Sequence, residues 1–260
     1  MRAQVANRGS ESVPGLLFFL LAVYGITSRG KLQASDEAAV FASGISLATR
    51  GHLAIDDFAW LQERVNIGST GPDGHLYTKY FPGNVFAVAL VYKLTARSND
   101  SPYIWVKEVA PSVTGARWAL RLNALWGAVG MTFLLALLRR FCSWPTAITT
   151  VLLVGLCSDW WYQSRGLYSE VGGGAFLIAS LYFAVSDKPY RSGLALALSI
   201  LFRPTNLVAL PFLGWAVWRK GLKALPSAIA IAIGGILLAA YNWARFGSPL
   251  NFGYPEGNLS

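Results

Sequence analysis

Charge is what this sequence lacks most. Only 13% of its 260 residues are Asp, Glu, Lys or Arg, about half the roughly 25% of a soluble domain, so water cannot be its only solvent. Cysteine is nearly absent too. Cys142 and Cys157 both stand in apolar stretches, and two cysteines away from any histidine make neither a disulfide framework nor a zinc site. The two histidines, His52 and His75, lack ligand spacing. No internal repeat and no low-complexity segment is present. A net charge of +9 would suit nucleic acid, but the basic residues sit in short clusters between apolar runs, which is a membrane pattern. Nucleic acid is therefore not expected as a partner, and membrane lipid is.

What the chain has in abundance is apolar length: 54% hydrophobic residues and a mean hydropathy of +0.42. A bilayer core about 30 Å thick needs roughly 17–25 apolar residues per spanning helix. Uncharged windows of that kind lie at Ser12–Ser28, Leu122–Leu138, Phe141–Ser158 and Ala224–Ala244, with a slightly short one at Val171–Ser186. The first has Arg2 and Arg8 before it and no small-x-small cleavage pattern after it, so it reads as an uncleaved span. Gly193–Trp218 is long enough for one helix, but Arg203-Pro204 interrupts it. Proline disfavours helical geometry in the residue before it, and an arginine at mid-bilayer is costly.

Charge decides between one span and a hairpin. With the N-terminus inside and a hairpin at Arg203, the inner segments carry Arg2, Arg8, Arg139, Arg140, Lys188, Arg191, Arg219, Lys220 and Lys223, nine of 22 Lys/Arg, against Glu11 and Asp187. A single span would put Arg219, Lys220 and Lys223 outside, against the positive-inside rule. The expected fold is therefore all-α: a single transmembrane domain over 1–260 with about seven membrane-embedded helices, near 12–28, 118–138, 141–158, 171–186, 190–203, 204–218 and 224–244. The expected location is a bacterial plasma membrane, with the N-terminus cytoplasmic.

One long loop, 29–117, then falls outside. It holds nine Lys/Arg and eight Asp/Glu, and loops of that length cross largely regardless of charge. Asp36–Thr49 has helical periodicity, with Phe41, Ile45 and Ala48 on one face and Ser35 as the expected N-cap. Phe81–Leu94 is apolar but too short to span comfortably, as suits an interfacial or re-entrant helix.

Four groups could carry chemistry. The carboxylates Asp36 and Glu37 follow the first span and could act as base or bind a divalent cation; an acid-decorated helix start is the plainer reading. Lys79 and Tyr80 precede a proline-initiated helix, where a lysine and free backbone amides suit a phosphate, although a snorkelling interfacial Lys beside Tyr would look the same. The outer turns bring Asp159, Trp160, Trp161, Tyr162, Arg165, Tyr168, Glu170 and Arg203. Their aromatics fit an interfacial belt, whereas an arginine within an apolar hairpin usually has an anionic partner. The last group is the aromatic run 241–254.

Four segments together resemble bacterial GT-C glycosyltransferases, the superfamily that uses polyprenyl-phosphate sugars and includes lipid A aminoarabinose transferases and protein O-mannosyltransferases. They are Ser35-Asp36-Glu37; Tyr77-Thr78-Lys79-Tyr80-Phe81-Pro82-Gly83; Phe202-Arg203-Pro204-Thr205; and Tyr241-Asn242 through Arg245-Phe246-Gly247-Ser248-Pro249-Leu250. The resemblance implies Asp36 or Glu37 as the catalytic carboxylate, Asp36 ranking first. It implies Lys79 and Arg203 as cations converging on the lipid phosphate, Tyr80 beside them, and Arg165 and Glu170 lining the same cavity. The implied partner is a polyprenyl-phosphate sugar donor, with the acceptor and any divalent metal ion left open. Members of that superfamily run on past the seventh helix, so the resemblance leaves open that the chain is a fragment. The competing readings are a transporter or flippase of a lipid-linked or small solute, and a non-catalytic remnant. No span carries an acidic relay residue at mid-depth, which weighs against transport.

Overall fold

The computed structural model describes residues 12–30, 32, 34–63, 66–96, 114–211, 213–214 and 221–254. The chain is mostly helical, with one short hairpin as its only described sheet. It divides into two compact units. The first comprises 1–28, 123–165 and 170–234, and the second 29–122, 166–169 and 235–260.

In the first unit, α1 (Ser12–Thr27) packs with α6 (Leu122–Leu138) and α7 (Trp144–Leu156). Their core is Leu16, Leu20 and Tyr24 against Ala124, Ala128, Met131 and Leu135, with Ala147 and Val151 from α7. Alternating small and large residues let the helices approach closely, as membrane helices do. The buried Tyr24 hydroxyl donates to the Gly155 carbonyl at 2.8 Å. α8 (Asp159–Ser164) follows, capped by the Ser158 hydroxyl, which accepts from the Trp160 amide.

Next, α9 (Ser169–Val185) and α10 (Pro189–Phe202) form an antiparallel pair. Buried serines stitch them together: Ser180 donates to the Ser192 carbonyl at 2.8 Å, and Ser192 returns a bond to the Ser180 carbonyl at 3.0 Å. Ser199 donates to the Gly173 carbonyl at 2.7 Å. Gly172 is needed here, because a Cβ would stand 2.3 Å from the Phe202 ring.

At Arg203 the backbone turns extended (φ −151°, ψ 101°), and Pro204–Ala209 continues as a 3-10 helix. The sequence places a second hairpin helix at 204–218. Its start is 3-10 rather than α, and residues 212 and 215–220, with the expected inner cluster Arg219 and Lys220, lie outside the described residues. So do Arg2 and Arg8.

In the second unit, α2 (Ser35–Arg50) packs tightly on α4 (Pro82–Thr95). A Cβ on Gly44 would come within 2.4 Å of Val88. Between them run a 3-10 turn (Asp56–Phe58), α3 (Ala59–Gln62) and an antiparallel hairpin of β1 (Gly68–Thr70) and β2 (Leu76–Thr78). Register pairs Gly68 with Thr78 and Thr70 with Leu76. The turn Gly71–His75 takes Gly74 at φ 84°, which glycine tolerates. Ala38, Ala39, Ala42, Ile55, Phe58, Ile67 and Leu76 form the core beneath it. After α4 comes α5 (Thr114–Ala119).

The last helix, α11 (Leu225–Phe246), begins in the first unit and ends in the second. Among the described residues, two helical stretches are long and apolar enough to cross a membrane: Gly115–Leu138, which takes in most of α5 and all of α6, with 24 residues, and Leu225–Phe246 with 22. Val13–Thr27, Trp144–Leu156 and Ser169–Val185 are apolar but shorter.

Candidate functional site

The amino-terminal turn of α2 separates the two adjacent acids. Successive helical positions differ by about 100°, and here that turns Glu37 inward while Asp36 stays exposed. Glu37 is 1% exposed. Its carboxylate accepts from the Ala34 amide at 3.3 Å and from the Leu167 amide at 3.1 Å. The helix cap is accordingly Ala34, in extended backbone (φ −116°, ψ 152°), and not the expected Ser35, because Glu37 closes the helix start from within. Gly166 leaves room for this carboxylate, since a Cβ there would stand 2.0 Å from it.

Asp36 faces Tyr80, whose phenol donates to its carboxylate, while the Ser35 hydroxyl donates to it at 3.2 Å. Tyr80 sits in the connection between β2 and α4. Phe81 there is extended (φ −89°, ψ 159°), and Pro82, which lacks an N–H, begins the helix. The Tyr80 amide donates to the Thr78 hydroxyl at 3.2 Å. The Lys79 ammonium lies 5.6 Å from the Tyr80 ring centre and 5.9 Å from that of Tyr254, within cation–π range of both. The carboxylate of Asp36, the phenol of Tyr80 and the ammonium of Lys79 are thus gathered at the start of α4.

Beneath them lies Arg245, in the last turn of α11 and fully buried. Its guanidinium donates to the carbonyls of Thr78 and Tyr80, the latter at 3.2 Å, to the Tyr241 carbonyl at 3.2 Å and to Asn242 Oδ1 at 2.8 Å. It stacks 3.8 Å from the Tyr241 ring centre and 4.7 Å from that of Phe246. Among the described residues it pairs with no carboxylate. In the sequence Arg245 stands out only as a member of the run 241–254, with no role of its own.

Beside this group the hairpin carries a polar cluster. Tyr77 donates to Asp73 at 2.6 Å, and Asp56 accepts from the Leu76 amide at 2.8 Å and lies 2.9 Å from His75 Nδ1. The Tyr77 bond holds the Asp73 carboxyl below its ordinary value, with help from the His75 amide. Burial would raise Asp56, but the Leu76 amide and His75 outweigh it and bring it lower. Burial first, then Asp73, raises Tyr77 to about 12. Among the described residues no group of three or more His, Cys, Asp or Glu is placed to hold a metal ion.

The other three predicted residues lie in the first unit. Arg203 forms an ion pair with Glu170 and also donates to Thr205 Oγ1 at 3.2 Å. Arg165 donates to the Thr27 carbonyl at 2.8 Å and lies 5.6 Å from the Trp161 ring centre. The structure therefore brings Asp36, Lys79 and Tyr80 together, and separately Arg203 with Glu170. Compared with known proteins, the chain matches no family model, no curated protein and no solved structure.

Proposed function

We propose that the chain is a multi-pass membrane glycosyltransferase that moves a sugar from a polyprenyl-phosphate donor to an acceptor on the extracytoplasmic side. The observation that carries this reading is the meeting of Asp36, Tyr80 and Lys79 at the start of α4. Transfer from a lipid phosphate needs a carboxylate, acting as general base, to take the acceptor proton and a cation for the leaving phosphate. Asp36 is the acid with an accessible side. In the reaction its carboxylate accepts the hydroxyl proton while the acceptor oxygen attacks the anomeric carbon. The bond from that carbon to the phosphate oxygen breaks, and Lys79 stabilises the departing anion. Tyr80 orients Asp36 and extends an aromatic surface beside the lysine.

The membrane part of the proposal rests on two long apolar helices and three shorter ones. It rests also on α11, whose exposed residues include Leu225, Ile229, Ile233, Ile236 and Leu237, a surface that suits lipid better than water. Seven embedded helices with the N-terminus inside agree best with the distribution of Lys and Arg. The test is transfer of radiolabelled sugar from an undecaprenyl-phosphate donor in membranes carrying the chain. Label transfer that disappears in Asp36→Asn supports the reading, and no transfer above membranes lacking the chain overturns it.

A further inference from the structure

We propose that Arg245 is a positioning residue: from the end of α11 it fixes the backbone on both sides of Lys79 and so sets where the ammonium and the Tyr80 phenol emerge. This rests on the reading of Lys79 as a phosphate ligand, and goes beyond it by assigning the residue that places that ligand.

Thr78 is the last residue paired in the hairpin, with Gly68, and Pro82 starts α4 without an N–H. Residues 79–81 therefore have neither ladder nor helix to hold them. Arg245 supplies the missing anchors, donating to the carbonyls of Thr78 and Tyr80 that bracket Lys79. Tyr241 adds a bond from its hydroxyl to the Tyr80 carbonyl at 3.4 Å.

Burying a guanidinium without a carboxylate is costly. A helix end needs no such residue, because backbone carbonyls can be satisfied by neutral donors. The planar fork, however, reaches several acceptors in fixed directions, which a lysine cannot do. Stacking between Tyr241 and Phe246 and the bond to Asn242 Oδ1 hold the fork in its plane. Since Tyr80 also donates to Asp36, the same clamp places the acid relative to the lysine.

The test compares the full chain, Arg245→Lys, Asn242→Ala and Lys79→Gln in phosphatidylcholine nanodiscs containing undecaprenyl phosphate. Two quantities are read: binding of that lipid, and hydrogen exchange at the amides of Lys79, Tyr80 and Phe81. Arg245→Lys should weaken binding about tenfold or more, as expected when a charged hydrogen-bond anchor is lost. It should speed exchange at 79–81 while leaving the amides of Leu16 to Tyr24 unchanged; a general structural role would instead speed exchange throughout. Asn242→Ala should shift both readings in the same direction by less, and it decides the matter should Arg245→Lys not accumulate folded. Wild-type binding and wild-type exchange at 79–81 in the deciding variant overturn the proposal. If wild type and Lys79→Gln bind the lipid equally, it is the phosphate reading that fails, and the exchange data alone then decide whether Arg245 positions the segment.

Discussion

The phenol of Tyr80 donates to the carboxylate of Asp36, 44 positions earlier in the chain, while the neighbouring Glu37 turns into the protein interior. Two adjacent acids therefore have different surroundings. Asp36→Asn should keep donor binding and lower sugar transfer by about 10²-fold or more. Tyr80→Phe should lower it less, since the carboxylate remains. Near-normal transfer by Asp36→Asn in the radiolabel assay would remove Asp36 from the chemistry.

Glu37 should matter for stability. Truncation to Ala leaves the Ala34 and Leu167 amides without their acceptor, a loss of about 1–3 kcal/mol for a buried unsatisfied group. Gly166→Ala should destabilise as well, because its Cβ would strike the Glu37 carboxylate. Combined, the two changes should cost less than their sum, since removing Glu37 also removes the clash. Thermal unfolding of the four proteins measures this, and strictly additive losses would show that Gly166 answers to something else.

Most helix positions were legible in the sequence, because long uncharged windows leave a chain few choices. Ser12–Thr27, Leu122–Leu138 and Leu225–Phe246 lie within a few residues of their expected places. The hairpin Gly68–Thr78 was not legible as paired strands, since its strands are three residues each and too short for an alternating pattern. Lys79 and Tyr80 stood out by their place before Pro82. Arg245 did not, because its importance lies in carbonyls more than 160 positions away, and backbone acceptors leave no mark on composition. Helical spacing alone left both Asp36 and Glu37 available, and the partner of Glu37 at Leu167 left no mark in the sequence.

Tyr77 provides a pH-dependent test of the hairpin. Its folded pKa, about 12, lies above the ordinary value of 10, so the folded state holds the proton more tightly than the unfolded one. The associated stability is fully present below pH 10 and is lost as pH rises from there toward 12. For Asp73 the sign is opposite: its lowered pKa contributes above the ordinary carboxylate range and is lost in acid. The spectrophotometric titrations of the wild type and Tyr77→Phe should differ by one phenol that titrates above 10. Asp73→Asn should move it down toward 10, and an unchanged titration in that variant would break the assigned pair.

The positive-inside rule, applied to the basic clusters, predicts sidedness. In a chain with Cys142 and Cys157 replaced by Ser, a cysteine at Thr70 should react with an impermeant maleimide in intact cells, and one at Lys188 only after permeabilisation. Both positions are exposed, so burial does not decide the outcome. The reverse labelling pattern would invert the topology and put the Asp36 group on the cytoplasmic side.

Arg203 and Glu170 form an ion pair in which both side chains are 38–39% exposed. At that exposure the pair adds only about 0–1 kcal/mol to stability. It can still govern ligand affinity, because an anion approaching Arg203 competes with the carboxylate already there. If Arg203 is a phosphate ligand, Glu170→Gln should tighten undecaprenyl phosphate binding several-fold by removing the competitor. One kcal/mol of released pairing corresponds to about a fivefold change in affinity. Arg203→Gln should weaken binding, and in that background Glu170→Gln should have little further effect. Raising the salt concentration should shrink the gain from Glu170→Gln, since exposed pairs are screened within a Debye length of about 10 Å at 0.1 M. Lipid binding in nanodiscs at two salt concentrations measures all of these. Should Glu170→Gln weaken binding while Arg203→Gln leaves it unchanged, Glu170 itself meets the donor, and Arg203 serves only to hold that carboxylate in place.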